Sequence, residues 1–305
     1  MKIVFESSPK RFNFPFRVIG SAGRYDTISD CEFLDDSHIV CADRQMARLY
    51  LLEFSLETGA HSILDSVECV FEGRSFNFEL LYIFENIVYS ISYDNTLFSC
   101  NIVNNKFVNM KIVTVSKGEA YHGICGADKD SVYVTNMLRP TITKYNVKTM
   151  ETSSIACDGG TRMKDAVVID DRCLLALSSD SGPIKGTLQG DGKVRPYHTP
   201  FDSHLLIYER SSRLARRHVL EKTQIDGCVY SNGFLFVTCT DTMGGGFLLR
   251  CRIDSDYNFK DIVHIPCAGF PHGVAVRGGL FAYTSYSESA LYIGRISEDG
   301  SLSEL

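Results

Sequence analysis

The amino-acid sequence predicts an all-β protein: a single six-bladed β-propeller with four antiparallel strands in each blade. Three observations favour this fold. Apolar and polar residues alternate with a period of two along most of the chain, which is typical of half-buried strands. One strand–turn–strand pattern recurs six times, and its copies begin between 43 and 61 residues apart. Repeats of this size that each hold a four-stranded sheet are typical of propellers rather than of sandwiches or barrels.

Each repeat opens with two strands joined by a tight polar turn. The first copy runs DCEFLDDSHIVCAD and the last runs HGVAVRGGLFAYTSY, with turns at Asp35-Asp36 and Gly278-Gly279. Asp, Asn and Gly favour the backbone conformations of such turns. Every copy starts at a polar residue, and these six positions are called the hub residues below: Asp30, Glu79, His122, Asp165, Asp226 and His272.

A second hairpin follows the first one in each repeat. In the first repeat it reads LYLLEF-SLETG-AHSIL, and in the third it reads ITKYNV-KTM-ETSSIA. On its own, the segment 45–54 has the apolar spacing of an amphipathic helix. Its five counterparts are rich in Ile, Val, Tyr and Thr, which favour strands, so we predict a strand here as well.

The sixth repeat ends at SLSEL, which leaves room for only a short outer strand. We expect residues 2–6 or 16–19 to supply or extend this edge. A strand from the other end of the chain would close the ring and leave less unpaired backbone. Residues 1–305 are therefore predicted to form one domain.

The fourth repeat carries an insertion at about residues 182–203, between its second and third strands. The segment combines Gly and Pro with the cations Lys185, Lys193 and Arg195 and with His198. This composition is typical of a lid at the channel mouth, where Arg195 and His198 would bind an anionic substrate. The alternative is a solvated surface loop.

Charge and composition exclude several classes of protein. The chain has 31 Lys+Arg and 37 Asp+Glu, a net charge of −6, which argues against nucleic-acid binding. No apolar run reaches the roughly 20 residues of a membrane helix, and the N-terminal segment lacks the apolar core of a signal peptide. We expect a soluble cytoplasmic protein with no nucleic-acid or membrane partner.

The eleven cysteines do not form a metal-binding or disulfide framework. None of them makes a CxxC pair, so a zinc ribbon is not predicted. Most occupy apolar strand positions, where reduced cysteine behaves as a small hydrophobic residue. This usage favours a reducing compartment.

The last repeat, FPHGVAVRGGLFAYTSYSESALYIGRI, resembles the repeat of NHL and lactonase-type propellers. The similarity lies in a Pro-x-Gly-hydrophobic entry at Pro271 and a Leu-Tyr-Val-like second strand, with weaker echoes at YHGICGADKDSVYVTN and IDGCVYSNGFLFVTC. The resemblance implies a six-bladed ring. Calcium-dependent lactonases of this class use Glu, Asn and Asp in the channel, so two histidines would be a departure.

The hub residues predict a polar centre at one mouth of the channel. The first strand of a propeller blade lines the channel, so four carboxylates and two imidazoles are expected to converge there. Clustered like charges require a bound cation or raised carboxyl pKa values. We therefore expect His122 and His272, with some of the hub carboxylates, to bind a divalent metal. Nitrogen ligands favour Zn, Mn or Fe, whereas an oxygen-only set favours Ca. The alternative is local turn hydrogen bonding without a metal.

Two functions are compatible with such a centre. The first is a metal-dependent enzyme that hydrolyses a lactone or ester or cleaves a sugar acid, with Asp165 or Asp226 as general base. A small-molecule substrate would then contact the rim at Asn136, Asp241 or Tyr286. The alternative is a non-catalytic propeller that binds a protein or small ligand at the same rim. A protein partner at the outer strands is also possible.

Overall fold

The computed structural model describes residues 1–4, 28–44, 46–180, 186–188, 194–196, 202–211, 213–241, 245–286 and 288–303. These residues contain strands and turns but no helix. Six sheets of at least four strands are arranged as the blades of a propeller. The predicted all-β, six-bladed fold is therefore confirmed. No described helix is long and apolar enough to cross a membrane.

The strands are numbered in chain order. The chain begins with β1 (Lys2–Val4). Blade 1 contains β2 (Ile28–Phe33), β3 (His38–Asp43), β4 (Arg48–Phe54) and β5 (His61–Glu68). A short hairpin of β6 (Val70–Phe71) and β7 (Arg74–Ser75) follows. Blade 2 contains β8 (Leu81–Phe84), β9 (Ile87–Ile91), β10 (Thr96–Val103) and β11 (Lys106–Thr114). Blade 3 contains β12 (Tyr121–Asp128), β13 (Ser131–Asn136), β14 (Thr141–Asn146) and β15 (Thr152–Ala156).

The second half of the ring repeats this order. Blade 4 begins with β16 (Arg162–Val168) and β17 (Cys173–Ser179). Next come β18 (Gly186–Leu188) and β19 (Val194–Pro196). Blade 4 ends with β20 (Ser203–Glu209) and β21 (Leu214–Leu220). Blade 5 contains β22 (Thr223–Ser231), β23 (Phe234–Asp241), β24 (Gly246–Ile253) and β25 (Phe259–Pro266). Blade 6 contains β26 (Pro271–Arg277), β27 (Leu280–Ser285) and β28 (Ala290–Ile296), and β29 (Leu302–Ser303) follows.

Each blade is an antiparallel meander whose first strand is innermost and whose fourth strand is outermost. The first strands of neighbouring blades contact one another, as β12 contacts β16 and β2 contacts β26. They run away from the end that carries the hub residues, so each link between a second and a third strand lies at the hub end. The β18–β19 hairpin of the fourth-blade insertion is one of these links, since it connects β17 to β20.

Both chain ends complete blade 6. β1 pairs with the first half of β28, with Lys2 opposite Tyr292 and Val4 opposite Ala290. β29 pairs with the second half of β28, with Leu302 opposite Ile296. The predicted closure of the ring by both terminal segments is confirmed, and Lys2–Val4 is the N-terminal strand. The alternative segment 16–19 lies outside the described residues.

The hydrophobic core lies between the blades. Six apolar clusters occur, one at each interface between adjacent blades. The cluster between blades 4 and 5 includes Leu177, Leu205, Ile225 and Val237, all fully buried. Each such side chain contributes about 1.5–3 kcal/mol by leaving water. All eleven cysteines are free thiols, and most belong to these clusters.

Candidate functional site

All six hub residues are buried, with at most 4% of any one exposed. Glu79 lies two residues before β8, and the other five lie within the first part of their innermost strands. The sequence pattern predicts all six residues just before a strand. Backbone pairing begins a few residues before the apolar run, so five of the six lie inside their strands. The six side chains do not all point to the same part of the hub.

Three hub residues come together at the centre of the ring. Glu79 of blade 2, His122 of blade 3 and His272 of blade 6 each place one potential ligand atom within 4.8 Å of the other two. His122 Nε2 lies 3.9 Å from Glu79 Oε2, and the two imidazole ring centroids are 5.3 Å apart. These are the residues through which the hub could hold a metal ion.

Both imidazoles are oriented by the backbone of the next blade. His122 Nδ1 lies 2.8 Å from the Lys164 carbonyl oxygen, and His272 Nδ1 lies 2.7 Å from that of Ser29. A carbonyl only accepts, so Nδ1 carries the proton in both rings and Nε2 holds the lone pair. Burial lowers the pKa of His122 well below its usual value and lowers the pKa of His272 to about 4. Both rings are therefore neutral at pH 7.

Glu79 is bound through one of its two carboxylate oxygens. Oε1 lies 3.0 Å from a guanidinium nitrogen of Arg44 and accepts a hydrogen bond from Asn77 at 3.3 Å. Oε2 is buried and has no hydrogen-bond partner. Burial raises the pKa of Glu79 to about 8, against the opposing effect of Arg44.

Asp226 belongs to a second ion pair beside the cluster. Its Oδ1 lies 3.2 Å from Lys164 Nζ, and its Oδ2 accepts a hydrogen bond from Gln224 at 2.9 Å. Removing one partner of a buried pair is strongly destabilising, so this pair anchors blade 4 to blade 5. The predicted role of Asp226 as a metal ligand or general base requires that Lys164 release it.

Asp30 and Asp165 point between blades and do not join the histidines. Asp30 Oδ2 accepts a hydrogen bond from the Leu81 amide of blade 2, and Asp165 Oδ2 accepts one from the Cys228 amide of blade 5 at 2.8 Å. Burial raises the pKa of Asp165 to about 7. An amide of the next blade therefore binds each of these two carboxylates. We correct the expectation of six converging groups accordingly.

The hub also contains interblade links that the repeat pattern does not predict. Three threonine hydroxyls each accept from a glycine amide of their own blade and donate to a carbonyl of the next blade. The linked groups are Gly123–Thr135–Lys164, Gly227–Thr238–His272 and Gly273–Thr284–Ser29. The signal was present: a glycine directly follows three hub residues, and a threonine comes eleven or twelve residues later.

These glycines are needed because adjacent innermost strands approach closely. A Cβ atom on Gly123 would lie 2.6 Å from the Cα of Asp165, and one on Gly273 would lie 2.6 Å from the Cα of Asp30. Backbone cannot move aside as a flexible side chain can. The close approach packs the backbone of each aspartate against the preceding blade.

The predicted rim residues have different surroundings. Asn136 is buried, and its Oδ1 accepts hydrogen bonds from the amides of Leu138 and Arg139. Asp241 Oδ1 accepts from the Gly245 amide, which is a local turn contact. Tyr286 is buried and stacks on His272, with ring centroids 4.3 Å apart.

The two residues predicted in the insertion belong to a segment that the structure describes only in part. Arg195 lies in β19, opposite Thr187, and only its backbone is described. His198 lies outside the described residues.

A cavity of about 260 Å³ lies along the channel next to the hub residues. Its walls include three carboxyl groups, those of Asp30, Glu32 and Asp165, with the thiols of Cys125 and Cys228. Burial raises the pKa of Glu32 to about 8. The volume is below the roughly 300–1,000 Å³ of pockets for drug-sized ligands, so it suits water or a small ion.

Comparisons with known proteins identify the fold and no narrower family. No family model matches the chain, and no curated protein matches its sequence. The chain is similar to the solved structure of RRP9 WD40 repeats, at 12% identity and a TM-score of 0.55, covering 85% of this chain and 87% of that one. It is similar to the β-propeller domain of Myceliophteria thermophila Cps50 (Swd1), at 10% identity and a TM-score of 0.54, covering 91% of this chain and 85% of that one.

A third similar structure is the WD40 β-propeller domain of Doa1, at 12% identity and a TM-score of 0.54, covering 90% of this chain and 93% of that one. At such identities the likeness shows a common fold alone. The resemblance to NHL and lactonase-type repeats is not supported, since two of these neighbours are WD40 propellers and the other is a β-propeller domain.

Proposed function

We propose that this chain is a non-catalytic propeller that binds a protein partner at the hub end of the ring. The observation that carries the proposal is a surface loop of blade 3, residues 137–140, called the rim loop below. It presents Leu138, which is 62% exposed, beside Arg139, whose side chain is 66% exposed.

Contacts from Asn136 and Glu119 fix the conformation of the rim loop. Asn136 accepts hydrogen bonds from the Leu138 and Arg139 amides and donates one to Glu119 Oε2. The other oxygen of Glu119 lies 3.1 Å from the Arg139 guanidinium. A loop that is ordered before binding loses less conformational entropy on association, which favours affinity. Asn136 therefore acts as a support of the binding surface rather than as a direct ligand.

The chemistry of the rim loop defines the partner. An exposed leucine fits an apolar pocket, and arginine is enriched among the residues that dominate binding energy at protein interfaces. Arg139 can form a two-pronged contact with a carboxylate. The expected partner is a protein that places an Asp or Glu side chain next to an apolar pocket.

The engagement of the hub residues supports this function over the metal-dependent enzyme. An enzyme that hydrolyses a lactone or ester needs a carboxylate free to take a proton. The two predicted general bases are engaged, because Asp226 is paired with Lys164 and Asp165 accepts a hydrogen bond from the next blade. These contacts favour a structural role for the hub carboxylates over a catalytic one. The fold does not decide between the two functions, because propellers carry many unrelated ones.

Site-specific photocrosslinking tests the proposal. A photoreactive amino acid replaces Leu138 in the full chain, and a matched probe replaces Met150, in the turn at the opposite end of blade 3, which is 60% exposed. In lysate, we expect a discrete crosslinked species from position 138 and none from position 150. The partner is identified by mass spectrometry and tested as a purified protein.

Substitutions then measure the contribution of the rim loop. Leu138→Asp should weaken binding of the purified partner by about tenfold or more, the effect of removing an interface hot spot. Met150→Asp should leave binding unchanged. Equal crosslinking at both positions, or equal affinity of both variants, would show that the rim loop is not the binding surface.

A further inference from the structure

We propose that Glu79, His122 and His272 form a zinc site that connects the blades at the centre of the ring. The site lies at the same end of the ring as the rim loop and does not depend on the proposed partner. It narrows the metal prediction from six hub residues to three.

The first support is the direction of the imidazole lone pairs. Each Nδ1 donates to a main-chain carbonyl, at 2.8 Å for His122 and 2.7 Å for His272. Metal-bound histidines nearly always have their second nitrogen fixed in this way, by a carboxylate, a carbonyl or water. Each ring thereby keeps an unprotonated Nε2, as a metal ligand requires, and His122 Nε2 lies 3.9 Å from Glu79 Oε2.

The second support is the carboxylate oxygen that faces the imidazoles. Glu79 Oε2 is buried without a hydrogen-bond partner, and the 3.9 Å that separates it from His122 Nε2 is too long for a hydrogen bond. A buried acceptor without a donor destabilises the folded chain. An ion between the two atoms would satisfy both.

The spacing and ligand types fit zinc. Ligands at about 2.0–2.2 Å from a tetrahedral Zn²⁺ lie about 3.4 Å from one another. The three atoms lie within 4.8 Å, so movements of under about 1 Å by each side chain would bring them into place. Calcium prefers six to eight oxygen ligands, whereas two imidazoles and a carboxylate suit zinc.

The positions of the ligands give the ion a structural role. Blades 3 and 6 lie opposite each other in a ring of six, so His122 and His272 meet across the axis. An ion bound by both, and by Glu79 of blade 2, would cross-link non-adjacent blades.

Arg44 competes with the ion for Glu79. Its guanidinium lies 3.0 Å from Glu79 Oε1 and carries a positive charge next to the site. Removal of that charge should tighten zinc binding. The Arg44→Met variant therefore tests the proposal by a gain, which a misfolded protein would not show.

The experiment uses the full chain without a histidine tag, after removal of metal by chelation. Isothermal titration with ZnCl₂ should give one site per chain. Thermal unfolding should shift upward by about 5 °C when free Zn²⁺ is a hundredfold above Kd. The visible absorption of bound Co²⁺ should indicate nitrogen ligation at low coordination number.

Variants identify the ligands. His272→Ala and Glu79→Gln should each weaken zinc binding by at least tenfold. Arg44→Met should strengthen zinc binding. The control, His61→Ala on the exposed face of β5, should leave it unchanged. Circular dichroism verifies that each variant is folded. The proposal is wrong if folded chain shows no saturable zinc binding, or if Arg44→Met, His272→Ala and Glu79→Gln all bind as the parent does. Crosslinking from Leu138 should be the same with and without zinc, which separates this result from the test of the rim loop.

Discussion

Side-chain length and the nearest available donor decide where each hub residue points. Asp30 and Glu79 occupy equivalent positions in adjacent blades, yet Asp30 accepts from the Leu81 amide while Glu79 reaches Arg44 and the imidazoles. The repeat predicted which residues lie at the hub. Their directions depend on contacts between neighbouring blades, which no single repeat encodes.

Glu32 provides a test of burial at the level of one residue. It lines the channel cavity with Asp30, Asp165 and Tyr82, and Arg277 is the cation that opposes its raised pKa. Folding raises the pKa of Glu32 from 4.5 to about 8. As the pH rises, the unfolded chain therefore loses this proton at a lower pH than the folded chain does. The stabilising contribution of this proton to the free energy of unfolding is therefore fully present below pH 4.5 and is lost as the pH rises toward 8.

The Glu32→Gln variant should remove this part of the pH dependence. Relative to the parent chain, its free energy of unfolding should rise by about 1–3 kcal/mol between pH 5 and pH 8. Urea unfolding at several pH values measures the difference. Glu53→Gln, on the exposed side of β4, is the control and should show no such trend. A constant difference between Glu32→Gln and parent across this range would contradict the shifted pKa.

The threonine links show how strands of different blades are joined. Thr238 of β23 accepts from the Gly227 amide and donates to the His272 carbonyl of blade 6. Strand positions and turns were predicted well, including β4, whose isolated sequence has helical spacing. The links were not predicted, because a threonine inside a strand normally indicates only β propensity.

Replacing Thr238 with valine keeps the shape and removes the hydroxyl. The Gly227 amide loses its acceptor and the His272 carbonyl loses a donor, both in a buried place. We expect a loss of about 1–3 kcal/mol in the free energy of unfolding, measured by chemical denaturation. Thr149→Val, at an exposed turn of blade 3, should change it by less than about 0.5 kcal/mol. Equal effects of the two substitutions would show that the hydroxyl link does not stabilise the blade interface.

At the scale of the whole molecule, the ring depends on its closure. Ile3 of β1 is 3% exposed and packs in the cluster between blades 6 and 1, whereas its neighbour Val4 is 62% exposed. The number of blades and the terminal closure were predictable from the repeat. The similarity to WD40 propellers was not predicted, because an identity of 12% leaves little sequence signal of it.

A charge at position 3 should open the ring. Ile3→Asp places a carboxylate in an apolar cluster and should lower the free energy of unfolding by about 3 kcal/mol or more. Val4→Asp, one residue along the same strand, should have an effect under about 0.5 kcal/mol. Thermal unfolding and hydrogen exchange of β28 amides report the loss. If both variants unfold alike, β1 does not seal blade 6.

The place of β1 sets an order of events during biosynthesis. It precedes blade 1 in the chain but pairs with β28 of blade 6, so a ribosome releases it long before its partner exists. Until the sixth blade emerges, the nascent arc exposes an open edge at each end, and β1 must wait unpaired. The pairing of β1 with β28 therefore cannot form before the sixth blade has been synthesised.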